Sequence, residues 1–177
     1  MPSELVRGLK ETATRSGASF VTTLLTTFEV LLHRITGDND IVVGLPAAGQ
    51  SDMDMKHLVG HCVNLLALRS RIDDERTFID HLKARRTAVL DAFDNQKYTF
   101  GTLLRTLNVP RQPGRIPLCP VVFNIDMNMD DGVAFDGLQH RFISNPRAFE
   151  NFELFLNATP AQSMGFAAYT GADHRHQ

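Results

Sequence analysis

Between Ser19 and Gly37 the chain reads SFVTTLLTTFEVLLHRITG. Phe20, Leu24, Phe28, Leu31, Leu32 and Ile35 recur at three- and four-residue spacing. Ser19 can cap the helix this implies, and Gly37 sits where a helix ends. The reverse face also carries Val21, Leu25 and Val30. A helix apolar on more than one side must be covered on more than one side, so it belongs inside a layered domain. A β-branched burst comes next, Ile41 to Val43, that Gly44 and Pro46 are expected to break.

The remaining segments supply the other layer. SELVRGLKETATRSG reads as a short helix capped by Ser3 and stopped by Gly17, with Leu5, Val6, Leu9 and Ala13 on one face. VNLLALRSRID is apolar on both faces at first, as in a strand buried on two sides. Thr77 and Asp80 make a capping-box start for a helix whose stripe is Phe78, Leu82, Val89 and Phe93. FGTLLRTLNVP is a shorter helix or turn closed by Pro110, and PRQPGRIPLCP is a proline-rich loop. VVFNIDMNM, LQHRFIS, NFELFLNAT and SMGFAAYT carry strand formers, with turns at DDG and TPAQ. Helices first and strands last give a two-layer α/β sandwich with a mixed β-sheet, read as one domain over 1–177. The last apolar strand has no closing helix after it and reads as a cut edge, which points to a fragment.

Composition narrows the function classes. With 18 basic and 20 acidic residues the net charge is -2, which gives no purchase on a phosphate backbone, so no nucleic-acid partner is expected. The one basic cluster, Lys83 to Arg86, reads as a solvated helix face. No apolar run approaches a membrane span and the N-terminus lacks a secretory core, so a cytoplasmic protein without a membrane partner is expected. Cys62 and Cys119 suit free thiols in a reducing compartment.

Chemistry by motif is sparse. His57, His61 and Cys62 fall within six residues, but Gly60 and the strand-like run after them deny the helix that would bring two imidazoles to one face. They read as loop histidines and a buried cysteine, and no metal is expected. Cys62 has no orienting group nearby to make it a nucleophile, and Cys119 reads as core. DMNMDDGVAFDG lacks the glycine and glutamate an EF-hand needs and reads as a solvated acidic turn. His174 and His176 lie in a tail and are expected to be inert. No G-x-S-x-G, P-loop or dinucleotide-type glycine loop occurs, so no catalytic residue is expected in this chain.

Five stretches, in order, carry a resemblance. VGHCVNLLALR (59–69) resembles the (I/V)GxFVNTxxxR motif of nonribosomal peptide synthetase condensation domains, NQKYTF (95–100) resembles their HQDYPF, and PRQPGRIPL (110–118) resembles RDxSRNPL. GDNDIVVGLPAAGQ (37–50) and NFELFLN (151–157) are similar to two further family segments. Departures include Cys62 for phenylalanine, Leu65 for threonine, Asn95 for histidine, Lys97 for aspartate, Thr99 for proline, and Gln112 and Gly114 for aspartate and serine.

The resemblance implies the C-terminal lobe of a chloramphenicol acetyltransferase-like fold, a half-domain whose parent forms amide bonds. Its active site would be a tunnel between lobes, and its catalytic histidine would belong to an HHxxxDG motif in the N-terminal lobe. That motif does not occur in this sequence. Partners implied are peptidyl or acyl carrier protein domains bearing 4'-phosphopantetheine, the N-terminal lobe, and a second copy through the exposed inter-lobe face. The chain itself is expected to bind no cofactor, and related cyclising, epimerising or ester-forming domains share the fold.

Under the resemblance, Val63, Leu65 and Ala67 pack in the core and Asn64 points to the tunnel, where its amide positions a substrate carbonyl or pantetheine amide. The competing reading has Asn64 satisfying backbone at a strand end. His61 would line the tunnel mouth. Gly60, Val63, Arg69, Gln96, Tyr98, Phe100, Arg111, Arg115 and Pro117 would be structural, the arginines pinning loops through carboxylates or carbonyls.

Overall fold

The computed structural model describes residues 1–49, 60–126, 136–138, 150–159 and 165–170, the last by backbone alone. His57, Leu58, Val59, His174, His176, LQHRFIS beyond Leu138 and the expected turn at DDG fall outside these, as does TPAQ beyond Thr159. Four helices are described: α1 (Ser3–Arg15), α2 (Phe20–Thr36), α3 (Phe78–Asp94) and α4 (Phe100–Thr106). Five strands, β1 (Asp40–Ala48), β2 (Val63–Arg71), β3 (Val121–Ile125), β4 (Leu154–Thr159) and β5 (Gly165–Thr170), form one sheet in the order β2-β1-β3-β4-β5. The inner pairs β1–β3 and β3–β4 are parallel and the outer pairs β1–β2 and β4–β5 antiparallel. The expected mixed sheet is present, and β5 ends the strand order among the described residues. Strands and helices interleave rather than forming separate halves of the chain, since β1 and β2 precede α3.

α2 and α3 start where their caps dictate. Ser19 accepts the Thr22 N–H at 3.0 Å, and Gly37 takes a left-handed φ of 76° at the end of α2. Thr77 and Asp80 form the capping box of α3. Ser3 does not cap α1: it is the first helical residue, and Pro2 before it makes no side-chain cap. Proline's fixed φ suits that boundary without one.

The core lies between α2 and the sheet. Leu24, Leu25, Phe28 and Leu32 pack on Ile41, Val43, Leu45, Ala47, Leu66, Leu68 and Phe123, with the Phe28 and Phe123 rings 5.9 Å apart. Leu31 and Ile35, expected on that stripe, are 50% and 71% exposed. The rotation follows from Leu25, whose burial on the reverse face turns those two outward.

β1 runs straight through Gly44 and Pro46, which do not break it. Gly49 donates its N–H to the Cys62 carbonyl, so odd-numbered residues of β1 aim their N–H groups at β2. The Pro46 nitrogen therefore faces β3, whose register with β1 is Val43 to Val121 and Gly44 to Val122. Proline sits past that pairing and removes no ladder bond. Gly44 is required by close packing: a Cβ there would lie 3.0 Å from Leu65 and 3.1 Å from Val122.

The phase of β2 is the reverse of that expected. Leu66 and Leu68 are the core residues, Leu65 and Ala67 are half-buried on the opposite face, and Val63 is 50% exposed. Register decides this: Leu45 faces Leu66 and Val43 faces Leu68, and cross-strand partners share a face. In a run apolar on both sides, alternation alone leaves the phase open.

Candidate functional site

Asn64 is the point where two of the motif segments meet. It shares the helix-covered face with Leu66 and Leu68, and its Nδ2 donates to the carbonyls of Gln96 (2.8 Å) and Tyr98 (3.1 Å). Its Oδ1 accepts the N–H groups of Phe100 and Leu65, both at 3.0 Å. An amide offers two donors and one oxygen with two lone pairs, so every position is taken by the chain's own backbone. The sequence between α3 and α4 makes such a clamp necessary. Asn95 ends one helix, with the Gln96 N–H still reaching the Phe93 carbonyl. Thr99 caps the next by accepting the Thr102 N–H, and the Gln96 and Tyr98 carbonyls between them are taken by Asn64. Tyr98 adds a hydroxyl bond to Thr106 at 2.7 Å, tying the turn to the end of α4.

Other expected residues are spread over the fold. His61 and Gly60 are exposed in the approach to β2, and Cys62 is half-buried. Arg69 pairs Asp40 through Nε (2.7 Å) and Nη2, fastening β2 to β1, and it holds the Asp40 carboxyl below the usual carboxylate range. Arg115 pairs Glu153 and reaches Gln112 at 3.2 Å, joining the proline-rich loop to the start of β4. Arg111 is exposed and makes no side-chain bond to a described residue. Pro117, half-buried, accepts the Cys119 N–H at 2.8 Å. Burial pushes the Cys119 thiol up to about 12, which suits core and not a nucleophile. Among the described residues no group of three His, Cys, Asp or Glu could hold a metal, and no helix is long and apolar enough to cross a membrane.

Two features escaped the sequence. Arg85, expected on a solvated face with Lys83 and Arg86, is 4% exposed and pairs the fully buried Glu29 at 2.9 Å. Its Nη2 also donates to the Arg69 carbonyl at 3.2 Å, so α2, α3 and β2 meet there. Burial lifts the Glu29 carboxyl to about 7, with Arg85 opposing the rise. Glu29 falls in a helix and Arg85 in a basic run, and neither position announces the other.

The second feature lies where the parallel strands part. Beyond Gly44 and Val122, β1 and β3 diverge around a cleft of about 270 Å³ lined by Val21, Leu25, Pro46, Val89, Phe93 and Asn124, among others. β1 leads out toward β2 and β3 toward β4, so the cleft sits at the carboxyl ends of neighbouring parallel strands whose connections run opposite ways. Open α/β sheets bind ligands at such points. At its edge Asn124 on β3 stands beside its register partner Asn157 on β4, bonded at 2.8 Å, and both bond Asp126. A signal existed: asparagine is depleted in strands, and both VVFNI and LFLNA carry one.

Fold and motif residues together define an α/β domain built on a five-stranded mixed sheet. The condensation-domain family profile matches residues 1–170. The sequence is 34% identical over 162 residues to bacitracin synthase 1 of Bacillus licheniformis, covering 90% of this chain and 3% of that protein. It is 39% identical over 133 residues to gramicidin S synthase 2 of Brevibacillus brevis, covering 73% of this chain and 3% of that one. Among solved structures, the condensation domain of the monacolin K polyketide synthase superposes with a TM-score of 0.80 at 20% identity, over 96% of this chain and 40% of that one. A four-domain nonribosomal peptide synthetase bound to AMP and glycine gives 0.84 at 17% identity, over 96% and 14%. The chain belongs to the condensation-domain family, with the chloramphenicol acetyltransferase-like fold expected from its motifs. It spans only a small share of the synthetases it matches.

Proposed function

We propose that this chain is the C-terminal lobe of a nonribosomal peptide synthetase condensation domain, working in amide-bond formation between carrier-tethered aminoacyl or peptidyl thioesters. In that reaction a downstream amine attacks an upstream thioester carbonyl. The C–N bond forms, the C–S bond breaks, and the pantetheine thiol of the upstream carrier leaves with a proton. The single observation that carries the reading is the family match across residues 1–170.

The chain's part in this reaction is architectural. Its sequence holds no HHxxxDG motif to take the proton from the amine. It contributes a wall that holds the two substrates in line, and lost freedom of motion is a large share of the barrier in such a step. Within that wall Asn64 is a positioning residue that acts through the turn it clamps. Carrier proteins bearing 4'-phosphopantetheine and the N-terminal lobe are its partners.

The test is amide formation from two pantetheine-loaded carriers, with this chain alone, with an HHxxxDG-containing lobe alone, and with both. Product only from the pair is the expected result. Product from this chain alone would overturn its architectural role, and no product from a folded pair would sink the condensing function. A docking role without catalysis is the second reading, favoured by the likeness to the teicoplanin X-domain (TM-score 0.78), which is described in complex with OxyB. Tight carrier binding by a pair that makes no product would select it.

A further inference from the structure

Asn124 lines the β1–β3 cleft and bonds Asp126 and Asn157 next to it, and these three side chains are oriented by their own chemistry. Asp126 has only acceptors to offer as a carboxylate, and it takes Asn124 on Oδ1 at 2.9 Å and Asn157 on Oδ2 at 2.7 Å. Both asparagines must therefore turn their Nδ2 toward Asp126. The second N–H of Asn124 goes to Asn157 Oδ1 at 2.8 Å. This leaves the Asn124 carbonyl oxygen and one N–H of Asn157, and no described residue takes either. An acceptor and a donor side by side on one level of the sheet match the N–H and C=O that a secondary amide presents.

The adjoining space gives the rest of the ligand. The cleft walls are Val21 and Leu25 of α2, Leu45 and Pro46 of β1, Val89 and Phe93 of α3, and Ile125 beside Asn124. Its volume of about 270 Å³ lies just under the ~300–1,000 Å³ of pockets for whole small molecules. It suits one branched aliphatic group better than a complete cofactor. Ser19 and Thr22, the other polar residues of the lining, already bond each other at 2.8 Å, so most of the remaining wall is apolar.

We propose that Asn124 and Asn157, oriented by Asp126 at the carboxyl ends of β3 and β4, form a subsite for a secondary amide whose attached apolar group enters the cleft. This deepens the condensation reading and rests on it only for the ligand's source, which is an aminoacyl or peptidyl amide or an amide of the pantetheine arm. Asp126 is a positioning residue here, and the two asparagines make the contact.

The experiment is a titration of the 15N-labelled chain, monitored through the side-chain NH2 resonances of Asn124 and Asn157. The probes are N-acetyl-leucine N-methylamide, N-acetylglycine N-methylamide and pantetheine. The leucine derivative is expected to shift both resonances saturably, and the glycine derivative to bind at least roughly tenfold more weakly for want of the apolar group. Saturable shifts from pantetheine at the leucine derivative's affinity would assign the amide to the carrier arm, and shifts from the leucine derivative alone to the aminoacyl group. Asn124→Ala and Asn157→Ala should each weaken binding roughly three- to tenfold, the worth of one neutral hydrogen bond. Val21→Phe narrows the cleft while leaving the three polar residues unsubstituted, and it should erase the difference between the leucine and glycine derivatives. The subsite is overturned if no probe gives saturable shifts, or if both asparagine variants bind as the parent does. Probe binding is read apart from amide formation, so a failed condensation assay with intact binding would sink the function and leave the subsite standing.

Discussion

Asn64 on β2 and Asn124 on β3 are both half-buried strand asparagines, yet their surroundings make them opposites. The four hydrogen bonds of Asn64 all end on the protein's own backbone, at Gln96, Tyr98, Phe100 and Leu65. Among the described residues the Asn124 side chain bonds only other side chains, Asp126 and Asn157, through its nitrogen. A saturated amide can hold a turn but has no valence for a substrate, whereas an oriented amide with a spare oxygen can recognise one. The helix-covered end of β2 is thus built for rigidity, and the parted end of β1 and β3 for contact.

The rigid side is most vulnerable at the ion pair beneath it. Arg85→Ala leaves Glu29 buried without its cation and should cost about 3–5 kcal/mol in chemical denaturation. Glu29 also sets a pH dependence. Its folded pKa of about 7 lies above the ordinary 4.5, so between those values the folded state holds more protons than the unfolded state. Stability is therefore greatest below about 4.5 as far as this group is concerned, and it declines as pH rises through about 7. His33, raised by its bonds to the Asp38 carbonyl and the Asp74 carboxylate, acts in the same sense. Glu29→Gln should flatten that slope in melts taken across the window, and an unchanged slope would remove Glu29 as its source.

Asn64→Ala comes next. It strands the carbonyls of Gln96 and Tyr98 and the N–H of Phe100, for an expected loss of about 2–3 kcal/mol. Faster amide exchange at Phe100 than in the parent would trace the loss to the turn. Gly44→Ala presses a methyl against Leu65 and Val122, and about 1–2 kcal/mol should be lost, with compensation from Leu65→Ala in the double variant. Asn124→Ala should be the mildest, about 1 kcal/mol or less, because Asn157 still serves Asp126. If it proved as costly as Asn64→Ala, the contrast between a clamp and a contact residue would be lost.

Whatever depends on neighbours along the chain was legible in the residues alone. Ser19, Gly37, Thr77 and Asp80 mark helix ends because capping is a matter of three or four residues. The family was legible in its motifs for the same reason. The phase of β2 had to wait for the assembled sheet, because Leu65 and Leu66 are equally apolar and the choice falls to their partners on β1. Packing likewise settles that Arg85 is buried and Lys83 is not, since that depends on Glu29, 56 residues away. The same holds for what each asparagine does. An amide's role is set by which donors and acceptors lie within about 3 Å of it, and those come from β2, β3, β4 and the α3–α4 turn, which only the folded sheet brings together.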